Sequence, residues 1–243
     1  MVTQNQIRQF STKYQTNELN VTREYLQHLF LSYFYQLPEA NEIYFKGGTA
    51  LRIVYQSARF SEDLDFDTNK KNISGIEDCL LEVLAKIEKE NIQASLQEAK
   101  TTSGGYLSTI NFMLFGLIIP IQIEISFREK NNKGELATIT SDFIPPYTIV
   151  VLKQEQLIAQ KMRALLSRRK ARDFYDLYFI LRKQLPIQDK NTIFKEVLIA
   201  LRSSDINFEI ELKQFLPKSH WMIIKDFKEV LSREIQRFIP KIL

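Results

Sequence analysis

Residues 45–68 read FKGGTALRIVYQSARFSEDLDFDT, and this stretch decides the fold. Two of the chain's seven glycines, Gly47 and Gly48, stand side by side directly before Thr49 and an apolar helical pattern. Leu51, Val54 and Tyr55 fall at i, i+3 and i+4, so one face of that helix packs inward. Ile43 to Lys46, ahead of the glycines, alternate branched and aromatic residues and read as a short strand that the glycines end. Fourteen positions after Thr49 comes Asp63, opening DLDFDT. As a strand this segment turns Asp63, Asp65 and Asp67 to one side and Leu64 and Phe66 to the other.

Carboxylates at i and i+2 on a strand share a face and can hold one or two divalent ions. The alternative is an edge strand whose acids simply face water. The paired glycines favour the first reading, because Gly47 and Gly48 let backbone N–H groups approach a ligand closely. A helix starting at Thr49 adds an N-terminus that favours phosphate. A triphosphate cradle beside bound metal is what nucleotidyl transfer requires. Glu124, the acid in the alternating strand IPIQIEISF, is either a third ligand or an acid on an exposed face. Rival motifs fit less well. There is no Walker A loop, and an EF-hand starting at Asp63 would need Gly and Glu where Thr68 and Ser74 stand. The D-x-D-x-T of dehalogenase-type phosphatases matches Asp65 to Thr68, but it would follow RFSE rather than an apolar strand and would leave the glycines without a role.

Working outward, 243 residues with 44% hydrophobic and 26% charged side chains suit an ordinary globular chain and argue against disorder. The polar N-terminus lacks a secretory signal, and the greasy run 112–125 is interrupted by Gly116, Pro120, Gln122 and Glu124, so a cytoplasmic protein with no membrane span is expected. One cysteine and two histidines supply neither a disulfide nor a zinc cluster. Residues 5–36 read as helix with a cap at Asn20 or Thr22, and Ser74 as the cap of a helix reaching Glu90, with Ile76, Leu80, Leu81, Leu84 and Ile87 inward. IQASLQEA, GYLSTINFMLF and LIIPIQIEISF read as strands, the last two turning near Gly116. The expectation is an α/β (α+β) fold with a mixed, largely antiparallel sheet flanked by helices. Pro145-Pro146 marks a boundary between residues 1–146 and a helical part, 147–243, with helices at 153–168, 172–184, 190–203 and 219–238. From residue 151 onward 19 Lys and Arg face 11 Asp and Glu, a net +8, whereas the remainder carries −4. That division suits metal in one part and a polyanion on the other.

KMRALLSRRKAR, residues 161–172, has six basic residues and no acid. Lys161, Arg163, Arg168, Arg169, Lys170 and Arg172 are therefore either a nucleic-acid surface or a solvated helix face, and Asp173 and Asp176 follow three apart. Taken in order, KGGTALRIVY, RFSEDLDFD, IQIEISF and QLIAQKMRALLSRRKARDFYDLYFI resemble the AbiEii/AbiGii toxin family of nucleotidyltransferases, the toxic half of type IV abortive-infection toxin–antitoxin pairs. The resemblance implies a DNA polymerase β-like nucleotidyltransferase fold, magnesium as cofactor and a nucleoside triphosphate as substrate. Members of related branches add nucleotides to the acceptor end of tRNA and stop translation, while others are specific for GTP, so RNA, with tRNA first, is the expected acceptor. A cognate antitoxin acting on expression, in phage defence, is the expected partner. Carried over by residue, Asp63 and Asp65 are the metal acids, Glu124 the third acid, Lys46, Gly47, Gly48 and Thr49 the nucleotide-binding stretch, and Lys161 the triphosphate lysine. Asp173 matches the later essential acid, with Asp176 as the alternative; Arg163, Arg168, Arg169, Lys170 and Arg172 are the expected RNA contacts. Two other readings stay open: a small-molecule nucleotidyltransferase, against which the +8 part argues, and a non-catalytic RNA- or partner-binding domain on the same fold.

Overall fold

The stretch that decides the fold becomes strand β1 (Ile43–Lys46), helix α3 (Gly47–Ile53) and strand β2 (Leu64–Thr68) in the computed structural model, which describes residues 1–239. Ahead of it lie α1 (Gln4–Lys13) and α2 (Glu18–Phe34). The single helix expected over 5–36 is thus two, because Gln15 takes a left-handed φ of 55° and Asn17 caps the second, accepting from the Asn20 amide at 2.8 Å. Asn20 and Thr22, the caps expected from sequence, are buried inside α2. After β2 come α4 (Ile73–Glu88), β3 (Gln93–Thr102), β4 (Gly105–Leu114), β5 (Leu117–Ser126), β6 (Gly134–Ile139) and β7 (Tyr147–Leu152). Asn72, not Ser74, caps α4, accepting from the Gly75 amide at 3.1 Å. Leu81 is 57% exposed rather than inward, and Cys79 and Val83 complete the buried stripe instead.

The chain divides into two compact units. The first is Met1–Gln56 with Phe60–Lys153; the second is Ser57–Arg59 with the chain from Gln154 onward. In the first unit the strands form one sheet in the order β3-β4-β5-β2-β1-β7-β6. β1 with β7 and β2 with β5 run parallel, and the remaining neighbours run antiparallel. β6 and β7 were not legible in the sequence: the chain beyond Pro145-Pro146 adds a β-branched strand, YTIVVL, before it turns helical. Proline is tolerated just ahead of a strand because no ladder bond is lost there. One face of the sheet is closed by helices, with α2 touching α4, β5 and β7, and α4 touching β3. Phe34, Phe45 and Phe66 meet in that layer, with ring centroids 5.4 and 5.5 Å apart, and each such burial stabilises by roughly 1.5–3 kcal/mol. Alternate residues of β5, Ile119 to Ile125, are buried there, which leaves Gln122 and Glu124 on the opposite, half-exposed face.

The second unit holds α5 (Gln154–Arg168), α6 (Ala171–Arg182), α7 (Lys190–Ser203), α8 (Phe208–Leu212), α9 (Trp221–Lys225) and α10 (Phe227–Gln236). α6 packs on α5, α8 and α10 through Phe174, Tyr175, Phe208 and Phe227, the last two rings 4.9 Å apart. The helix expected over 219–238 is broken at Asp226 into α9 and α10. Among the described residues no helix is long and apolar enough to cross a membrane.

Candidate active site

In the first unit, Gly47 opens α3 with φ of +83°, a left-handed conformation that favours glycine. Its missing side chain makes room for a carboxylate: a Cβ there would lie 2.0 Å from Oδ2 of Asp65. Lys46, Asp65 and Glu124 are successive partners across β1, β2 and β5, so their side chains leave the sheet on one face. Asp67, one pleat along β2, is fully buried and takes the Lys46 ammonium at 2.6 Å. Asp63 stands half-buried just before β2, and its carbonyl accepts the Thr49 hydroxyl. Gly48 and Thr49 are buried, so the hydroxyl ties the start of α3 to the entry of the acidic strand. Glu124 keeps 42% of its side chain exposed, with the Arg128 guanidinium 3.7 Å away. Among the described residues no three His, Cys, Asp or Glu side chains converge into a ready metal site. Asp65 and Glu124, neighbours across β2 and β5, offer carboxylate oxygens, a donor type that suits hard divalent cations; the thiol of Cys79 is buried and pushed up to about 11.

The second unit gathers Arg59, Lys161 and Asp176. Asp176 is 1% exposed and Arg59 4%. The Arg59 guanidinium forks onto it, Nε donating to Oδ1 at 2.9 Å and Nη2 to Oδ2 at 3.1 Å, while the Lys161 ammonium donates to Oδ2 at 2.7 Å. Burial works to raise the Asp176 pKa, but the charges of Arg59 and Lys161 outweigh it and hold the carboxyl below its usual range. Asp173, the other candidate acid, is committed differently. It accepts from Arg168 Nη2 at 2.6 Å and from the Lys170 backbone N–H at 3.3 Å, so it caps the first turn of α6. Arg163, Arg168, Arg169, Lys170 and Arg172 are all exposed. Arg59 was missed in the sequence, where it is only an arginine four positions ahead of Asp63.

A second group of ionisable residues was also missed. Glu24 and His28 of α2, Arg52 of α3 and the segment 137–143 line a cleft of about 570 Å³ that includes none of the expected site residues. Arg52 Nε lies 3.2 Å from both Glu24 oxygens, and its guanidinium lies 3.9 Å over the Phe60 ring. His28 Nδ1 is 2.7 Å from the Tyr147 hydroxyl. Burial, helped by the Arg52 charge, pushes this imidazole down to about 3.

Residues 29–243 match the family model described as nucleotidyl transferase AbiEii toxin, type IV TA system. Over 144 residues the chain is 30% identical to aq_aa25, an uncharacterized protein of Aquifex aeolicus (strain VF5), a match that takes in 59% of either chain. The chain thus spans 59% of the length of that curated relative. Among solved structures it is similar to MenT4, a nucleotidyltransferase toxin from Mycobacterium tuberculosis H37Rv, with TM-score 0.63 and 17% identity over 98% of this chain and 93% of the other. It is also similar to JHP933 from Helicobacter pylori, with TM-score 0.54 and 20% identity over 92% and 96%. At such identities these two likenesses speak for the fold. The family model reaches across most of the chain, from the middle of α2 onward, and the chain therefore belongs to the AbiEii family of nucleotidyltransferase toxins of type IV toxin–antitoxin systems.

Proposed function

We propose that this chain is a magnesium-dependent nucleotidyltransferase acting in the cytoplasm, which moves a nucleoside monophosphate from a triphosphate to RNA and blocks translation by modifying the 3′ end of tRNA. The observation that carries this is the Asp65 carboxylate resting on Gly47, with Glu124 beside it on the same face of the sheet. Magnesium, when bound, would neutralise triphosphate charge and make the acceptor hydroxyl a better nucleophile. Asp63 and Asp65 would hold it, with Glu124 as the third acid. With so few protein ligands its shell would be completed by phosphate oxygens and water, the usual arrangement for this ion.

The chain's own residues then divide the work. Gly47 leaves the backbone open toward the acids, and Thr49 fixes the direction in which Asp63 enters β2. Asp67 holds Lys46 at the edge of the nucleotide-binding stretch. Lys161 would bind the triphosphate, and Asp176 suits the later essential acid better than Asp173, because it is Asp176 that grips Lys161. The exposed Arg163, Arg168, Arg169, Lys170 and Arg172 would meet the phosphates of the RNA, a contact that adds affinity without reading sequence. Membership of the family supports an antitoxin partner, which would act on expression.

The direct test is incubation with magnesium, each labelled nucleoside triphosphate in turn and total tRNA. Label at the tRNA 3′ end is expected, reduced on the order of a thousandfold in Asp65→Ala. No label in tRNA with any nucleotide would end this reading, and label on an aminoglycoside instead would redirect it to small-molecule transfer.

A further inference from the structure

Two cations share one buried carboxylate in the second unit. Asp176 carries a single negative charge between Arg59 and Lys161, so the group as a whole is left with one positive charge. Its location follows from exposure: the Arg59 side chain is 5% exposed, whereas that of Lys161 is 12% exposed and is the outer member. An ammonium has three donors, and Asp176 engages Lys161 through one oxygen only, while Arg59 approaches both. A lysine paired with a carboxylate and nothing else would be a neutral pair with little attraction for a polyanion. Arg59 is not at the surface to meet a ligand itself.

We propose that Arg59 is a positioning residue for triphosphate binding: by neutralising Asp176 from the buried side, it leaves the charge of Lys161 uncancelled and its ammonium fixed in direction. This rests on the reading of Lys161 as the triphosphate-binding lysine. The fork geometry matters too, because a guanidinium locks the plane of the carboxylate in a way that a point charge does not.

The test separates charge balance from mere structural support. Binding of inorganic tripolyphosphate with magnesium is measured by calorimetry on the wild type, Arg59→Gln, Arg59→Lys and the double variant Arg59→Gln/Asp176→Asn, with thermal unfolding alongside. Arg59→Gln should weaken binding on the order of tenfold, since the group becomes neutral. Arg59→Lys should fall between Arg59→Gln and wild type, since the charge is kept and the fork is lost. The double variant should bind more tightly than Arg59→Gln, because Lys161 again carries the only charge of the three. It also removes the buried guanidinium and the buried carboxylate together, so it stays readable if the single variant unfolds. Equal affinity of Arg59→Gln and wild type overturns the proposal, as does a double variant that folds but binds no better than Arg59→Gln. If wild type ignores tripolyphosphate, the proposal fails with it. The transfer reaction is judged separately by tRNA labelling, so the two failures are distinguishable.

Discussion

Asp65 occupies the place where a side chain on residue 47 would go, and that single contact joins the glycine turn to the acidic strand. Gly47→Ala should therefore fail twice over: alanine resists a φ of +83°, and its methyl group displaces the Asp65 carboxylate. A loss of about 1–3 kcal/mol in urea unfolding is expected, together with a loss of tRNA labelling much larger than the stability change explains. Normal labelling by a folded Gly47→Ala protein would show that Asp65 need not lie where it does. At this scale the sequence was informative about local partners. Asp63 and Asp65 declare themselves by spacing, and the glycines by rarity. The partner of the Thr49 hydroxyl was not legible, because a hydroxyl at a helix start looks free until the Asp63 carbonyl is in place. Arg59 was invisible for a plainer reason: Asp176 is 117 positions away.

On helix α6 the two aspartates that the sequence left as alternatives separate into different roles. Asp173 sits in the first turn, accepts the Lys170 backbone N–H as a cap and pairs with Arg168. Its replacement by alanine should cost about 0.5–2 kcal/mol of stability, with transfer per folded molecule reduced only modestly. Asp176→Ala strands Arg59 in the interior, with an expected cost of about 3–5 kcal/mol, and removes the anchor of Lys161. The comparison is made at low temperature, where both variants are folded, with labelling rates normalised to the folded fraction. A more severe transfer defect in Asp173→Ala than in Asp176→Ala would reverse the assignment. Elements as such were mostly readable, since periodicity is a property of the segment itself: β1, α3, β2 and the β4–β5 hairpin follow from it. What escaped were interruptions and rescues. Gln15 and Asp226 break helices without a proline or glycine to announce them, and β7 pairs between β1 and β6, strands far from it or unread in the sequence.

For the molecule as a whole, the division of charge was legible from composition, but the burial of ionisable groups in α2 was not, since nothing in the sequence of that helix sets Glu24 and His28 apart. His28 is 3% exposed, and burial, with Arg52 nearby, lowers its pKa from 6.5 to about 3. Its Nδ1 lies 2.7 Å from the Tyr147 hydroxyl, a group that can donate to a bare ring nitrogen or accept from a ring N–H. The sign follows directly. The unfolded chain takes up a proton at this site as pH falls through 6.5, whereas the folded chain does so only near 3, so stability is full above 6.5 and drains away below it. The slope is about 1.4 kcal/mol per pH unit, or about 2 kcal/mol between pH 6.5 and 5. Glu24 works in the other direction, because burial raises its pKa against the pull of Arg52, and the folded state then binds its proton first. Wild type alone would report the sum of the two. His28→Gln retains a neutral acceptor for Tyr147 and removes only the imidazole titration, so the difference between the two proteins isolates it. Urea unfolding at pH 7, 6 and 5 should show the variant less stable at pH 7 and the gap closing by about 2 kcal/mol at pH 5. A gap that stays constant across that range would mean that His28 is not held neutral in the fold.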